Sequence, residues 1–231
     1  MQRLGLWLLI ALSVPIALYA FAFQLGLTGG ADFQLRFAER PLFAALHVLG
    51  SGLALGIGGF QFLPGLRARH LALHRWLGRT YLVAVLLGGT GGLVMAGQAD
   101  GGLAGRVGFA LLAVVWLVSG WQAYAAVRRG DLAAHRIWMI RNFALTFAAV
   151  TLRAYLGIFT GAMSIPFADF YPVVAWLCWV PNLVVAEWLV IARSRMGWRL
   201  RPAANSASTS TSSTSSTSST SSPSSTASGP V

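Results

Sequence analysis

Lysine does not occur in this chain, acidic residues number six in 231, and there is one cysteine. Each scarcity excludes something. A lone Cys178 cannot form an intrachain disulfide, nor a multi-cysteine metal or iron–sulfur site. Charged residues make up 10% of the chain, against about 25% in an ordinary soluble domain. A water-facing surface cannot be assembled from that composition. Several enzyme signatures are missing too: His-Glu-x-x-His, Gly-x-Ser-x-Gly, a phosphate loop ending in Gly-Lys-Ser/Thr, and a dinucleotide fingerprint after a soluble strand. The chain has no soluble catalytic domain.

Long apolar runs fill the space that these absences leave. Six stretches are apolar over about 20 residues, roughly Leu4 to Leu27, Arg40–Leu63, Trp76–Gln98, Ala104–Val127, Ile137–Thr160 and Pro172–Arg193. Twenty helical residues rise about 30 Å, the thickness of the hydrocarbon core of a bilayer. With no water there to satisfy backbone amides, each stretch is expected to be a helix. The expectation is therefore all-α: a polytopic transmembrane bundle over residues 1–202, with a disordered tail over 203–231. That tail is almost wholly Ser, Thr, Ala, Pro and Gly, a composition that cannot bury enough surface to offset the entropy of ordering. Pro15 and Pro181 fall inside spans and should bend them.

Seventeen arginines give a formal net charge of +11. Because they flank apolar spans, they read as topogenic and head-group contacts rather than as a nucleic-acid surface. Arg3, the segments 64–79 and 128–141, and the end of span six all fall on one side under alternation. Arg36, Arg40 and Arg106 fall on the other, and Arg153 lies within a span. Arginine retention places the first side, with both termini, in the cytoplasm of a cell whose inner membrane holds the chain. Arg3, an apolar run and Ala20-Phe21-Ala22 also resemble a cleavable signal. However, the run is longer than a signal core of about 7–15 residues, which favours an uncleaved helix.

Polar residues within spans are costly and so carry information. His47 lies about 10 Å from the outer end of span two, at 1.5 Å per residue. Arg153 lies a comparable distance into span five, so the two should share a level and line any polar path for a small solute. The alternative for Arg153 is to snorkel outward, towards Asp169. Glu187 is the one acid well inside a span. Arg141 and Asn142 enter span five at a similar depth, so a Glu187–Arg141 pair would neutralise both and tie spans five and six together.

His74 and His135 open spans three and five on the basic side, each followed by an arginine, Arg75 and Arg136. Two imidazoles at matching depth on different helices meet one condition for holding haem b, or a quinone, between helices. Interfacial hydrogen bonding is the plainer role. His70 and His74, spaced i and i+4, are a weak metal signal, and no metal is expected. Glycines crowd spans two and three. Gly52-x-x-x-Gly56 and Gly157-x-x-x-Gly161 have the small-residue spacing of closely packed helices, and smooth glycine faces would also accommodate a flat cofactor. A faint internal echo joins Leu71-Ala72-Leu73-His74-Arg75-Trp76 to Leu132-Ala133-Ala134-His135-Arg136-Ile137-Trp138 at an offset of 61 residues, about one helical hairpin.

Together, His47 in its Gly-rich span, His74-Arg75-Trp76-Leu77-Gly78-Arg79-Thr80-Tyr81, residues Arg129 to Arg141 and Leu145 to Arg153 resemble the bacterial integral membrane family called domain of unknown function 2306, over roughly residues 40–195. The resemblance implies a multi-helix membrane protein and brings no reaction with it. It singles out His47, His74, Arg75, His135, Arg136, Arg141 and Arg153. From the residues, three functional classes stay open: a structural or regulatory membrane component, a haem or quinone protein using His74 and His135, and a small-solute carrier using His47 and Arg153. The lipid bilayer is the expected partner, and a second copy or another membrane protein is left open.

Overall fold

The structure, a computed structural model, describes residues 2–199. The expected Ser/Thr-rich tail, 203–231, lies outside the described residues. Chain contacts divide the chain into units Met1–Arg193 and Ser194–Val231, and the first unit holds the bundle.

Among the described residues there are helices and no strands. Six helical segments among them are long and apolar enough to cross a membrane: Leu4–Gln24, Pro41–Phe62, Leu71–Ala96, Gly102–Arg128, Leu132–Ala162 and Phe167–Ala192. The elements are α1 (Gln2–Gln24), α2 (Ala31–Ala38), α3 (Pro41–Gly58), α4 (Pro64–Arg69), α5 (Leu71–Ala96), α6 (Gly102–Arg128), α7 (Leu132–Thr146), α8 (Ala148–Leu156), α9 (Phe167–Leu177) and α10 (Val180–Arg199). Spans two, five and six are composite. Span two ends in a 3₁₀ turn, Gly59–Phe62. Span five is α7 and α8 followed by a π-helical turn, Gly157–Ala162. Span six is α9 and α10.

Helices α5 and α7 begin about five residues before the apolar runs do. Hydropathy clips a span at its first charges, whereas helical hydrogen bonding continues into the wet interface. Asp131 fixes the start of α7 by accepting from the Ala134 amide at 2.8 Å, as an N-cap does. Gly130, at φ 77°, supplies the left-handed turn that ends α6. Pro181 falls where span six divides, just inside α10. Asn182 bridges that break, donating to the carbonyls of Ala144 at 3.3 Å and Cys178 at 3.0 Å and to Thr151 Oγ1 at 2.9 Å.

Pair contacts set the directions. Gly50 lies against Gly88, and Gly91 against Phe43 and His47, so α3 and α5 are antiparallel. Ala17 and Ala20 meet Gly56 and Gly52, while Ile10 meets Gly59, so α1 runs against α3. Gly120 packs on Val85 and Gly89 on Leu117, making α5 and α6 antiparallel. His135 bonds to Ala123 and Asn142 to Trp116, so α6 and α7 are antiparallel as well. The spans alternate, and α5 and α7 therefore run the same way.

The bundle is small inside and bulky outside. Ala54, Ala84, Ala123, Ala126 and Ala175 are buried, while Trp121, Val118 and Trp188 are among the large exposed side chains. Lipid tails are as apolar as leucine, so large side chains gain little by turning inward. Close backbone approach through small residues holds such helices together. The Gly52-x-x-x-Gly56 spacing serves that purpose against α1. Gly157 and Gly161 do not: a Cβ at either would meet nothing within 4 Å, because the π-helical turn carries that spacing into open space.

Candidate functional site

Among the described residues, three polar clusters lie within the bundle. The central one was not read from the sequence as a unit. Tyr81 of α5 donates its hydroxyl to Asn142 Oδ1 at 2.7 Å and sits 2.8 Å from Thr146 Oγ1. Trp116 Nε1 donates to Thr146 Oγ1 at 2.8 Å. Asn142 Nδ2 donates to the Trp116 carbonyl and to Ser119 Oγ, each at 2.8 Å. All five side chains are buried, and between them they satisfy one another, as a low-dielectric core requires. The signal was present: Asn142 and Thr146 are spaced i and i+4 within an apolar span, and Tyr81 and Asn142 stand 61 residues apart, the offset of the internal echo.

That register places the second cluster. Helices α5 and α7 run the same way and make little direct contact, with Tyr81 reaching across to Asn142. Seven residues are nearly two full turns. His74 and His135, seven residues before Tyr81 and Asn142 respectively, therefore lie at a common level about 10 Å nearer the basic end. His135 Nδ1 donates to the Ala123 carbonyl at 2.8 Å, which leaves its Nε2 with the lone pair. His74 Nδ1 and Gln61 Nε2 are buried without a partner, and Gln61 lies beside Gly78, one turn above His74. Arg75 and Arg136 are exposed. His70 precedes α5 and is exposed, so it does not share a helix face with His74.

The third cluster lies towards the opposite end and encloses space. A cavity of about 350 Å³ is lined by residues of α1, α3, α5, α6 and α8, with further wall from α9 and the segment around Gln98–Asp100. His47 and Arg153 both line it, the level-sharing that their depths suggested. The His47 ring is held by Nδ1, which donates to the Gly88 carbonyl at 2.9 Å, with Ser51 Oγ 3.3 Å away. That bond also fixes the tautomer and leaves Nε2 as an acceptor. Glycine makes the fit possible, because a Cβ at Gly92 would lie 2.7 Å from His47 Nδ1.

Arg153 does not reach Asp169. Its Nη1 turns back to the Ala149 carbonyl at 3.0 Å, and the guanidinium lies 5.2 Å over the Tyr19 ring. No carboxylate is within ion-pair distance of Arg153 among the described residues. An arginine costs roughly 2.5–3.5 kcal/mol at a helix centre on insertion scales, and one stacking contact of about 0.5–2 kcal/mol does not cover that. Thr146 and Trp116 of the central network also line the cavity, while Glu39 and Asp100 line it where span two begins and span three ends. Gln98 Nε2 donates to Glu39 Oε2 at 3.1 Å.

Arg141 and Glu187 form a two-point ion pair, Nε to Oε1 at 2.5 Å and Nη2 to Oε2 at 2.9 Å. The guanidinium lies 4.6 Å over the Trp138 ring. The pair joins α7 to α10 on the outer flank of the bundle, away from the cavity, with both side chains partly exposed.

The apolar helices, the alternation and the residues that face inward define a membrane protein with six candidate spans. Neither the curated proteins nor the solved structures hold a match to it. Over residues 44–190 it matches the model of the family described as "Predicted membrane protein (DUF2306)", and the chain belongs to that family.

Proposed function

We propose that this chain is a membrane-embedded binding protein or carrier whose cavity between α1, α3, α5, α6 and α8 takes a small, largely apolar molecule. The observation that carries this reading is the cavity itself. It combines room for a ligand, mostly apolar walls and a few convergent polar groups, His47, Arg153, Ser51 and Thr146, the usual make-up of a small-molecule site. Ala113, buried on α6, lines the cavity, and a phenylalanine there would fill it. Native mass spectrometry of the detergent-purified protein should show a co-purified small-molecule adduct that is lost in Ala113→Phe. An adduct retained in that variant, or none in either protein, overturns the reading.

The orientation that goes with it has both termini and the Arg-rich loops in the cytoplasm, with the cavity in the outer half of an inner membrane. The arginine asymmetry supports it. Reporter fusions after Arg69 and Arg129 should score cytoplasmic, and periplasmic signal from either reverses the assignment.

A second reading rests on one observation, the placement of His74 and His135 at one level on α5 and α7. Two imidazoles on separate helices, one with Nδ1 committed to a carbonyl, are the residues that would hold haem b, were it bound here. In that case the protein purified from haem-replete cells has a Soret band that His74→Ala or His135→Ala abolishes. A colourless protein ends this reading and leaves the cavity reading untouched.

A further inference from the structure

The ligand's charge and shape can be drawn from the same cavity, and this step rests on the binding reading above. We infer that the cavity takes a monocarboxylate with a flat apolar body, its carboxylate on Arg153.

Among the described residues, Arg153 has the only guanidinium that lines the cavity, and its polar contacts leave most of its donors unused. Nη1 is held by the Ala149 carbonyl and the face of the guanidinium by Tyr19, while Nε and Nη2 are donors in a planar fork. A carboxylate fits that fork with two parallel hydrogen bonds, and its charge neutralises the arginine in a low-dielectric setting. A phosphate or sulfate dianion fits less well. Glu39 lines the same cavity, so a second negative charge would meet a carboxylate with the one lining guanidinium already matched. An ammonium would have to sit against Arg153.

The walls set the body of the ligand. Gly52, Gly88, Gly89 and Gly92 line the cavity. Helix α5 packs too tightly on α3 and on α6 for side chains, since a Cβ at Gly88 would lie 2.8 Å from the Ser51 amide nitrogen of α3 and one at Gly89 2.7 Å from Leu117 of α6. The result is a smooth backbone wall. Leu55, Phe109, Leu112 and Leu152 complete an apolar enclosure. A planar ring buries its face against such a wall without meeting a protruding side chain. His47 Nε2, an acceptor, faces a hydroxyl or N–H on the ligand body more favourably than the carboxylate itself.

Equilibrium dialysis of the full chain in mild detergent tests this with an isosteric series: 2-naphthoate, 2-naphthamide, 2-naphthylmethylamine and naphthalene-2,6-dicarboxylate. Naphthoate is expected to bind at least tenfold more tightly than the other three. Arg153→Gln should remove that preference, so that naphthoate binds no more tightly than naphthamide. Arg153→Lys, which keeps the charge but not the fork, should fall between. Equal binding of naphthoate and naphthamide, or tightest binding of the amine or the dianion, with all of it lost in Ala113→Phe, overturns the ligand class and leaves the cavity reading standing. Binding unaffected by Ala113→Phe, or no binding by any probe at millimolar concentration, overturns both.

Discussion

Asn142→Leu is expected to lower the stability of the protein by about 2–4 kcal/mol. The side chain is fully buried and makes three hydrogen bonds, accepting from Tyr81 and donating to the Trp116 carbonyl and Ser119. Interhelical hydrogen bonds in membranes average about 0.6 kcal/mol and reach about 1.7, so the three together set the scale. Leucine keeps the volume and removes every one of them. The loss is cushioned unevenly. Tyr81 still reaches Thr146, and the Trp116 carbonyl still accepts from Ser119 at 3.0 Å, but Ser119 Oγ loses its donor. Thermal unfolding in detergent, read by far-UV dichroism, should shift by roughly 5–15 °C, at about 2–4 °C per kcal/mol for a chain of this size. A shift under about 2 °C would show that the network does not hold α5, α6 and α7 together.

Gly91→Ala should cost about 1–3 kcal/mol despite replacing glycine with the best helix former. In an open helix the same change gains about 1 kcal/mol. At Gly91 the new Cβ would lie 2.5 Å from the Phe43 carbonyl oxygen and 2.6 Å from the His47 amide nitrogen. Both are backbone atoms, so no rotamer change relieves the contact, and α3 and α5 have to separate. The displacement falls on His47, whose ring bond to Gly88 depends on that approach, so ligand retention should fall together with stability. Gly5→Ala is the control, because nothing lies within 4 Å of its Cβ position, and it should be neutral or slightly stabilising. Equal melting temperatures for Gly91→Ala and Gly5→Ala would remove close packing as the reason for glycine in span three.

The two variants also mark how far the chain could be read in advance. The six spans, the Arg141–Glu187 pairing and the shared level of His47 and Arg153 follow from counting residues along helices of known rise, which needs no knowledge of how those helices pack. Which glycines serve packing does not follow from spacing. Gly52-x-x-x-Gly56 and Gly157-x-x-x-Gly161 are alike on paper, yet one lies against Ala17 and Ala20 and the other faces nothing. Rotation about the helix axis decides that, and it is fixed by neighbours distant in the chain. Tyr81, Trp116, Ser119, Asn142 and Thr146 come from three helices and converge only when all three are placed.

The sequence by itself determined the surroundings of this protein. Too few charges, no lysine and six apolar runs leave the bilayer as the medium in which its backbone can be satisfied. Only the tertiary structure decided where the interior is polar and where it is open, because hydrogen bonds and enclosed volume depend on the relative rotation of helices. A sequence records rise along an axis, but not which face meets which neighbour.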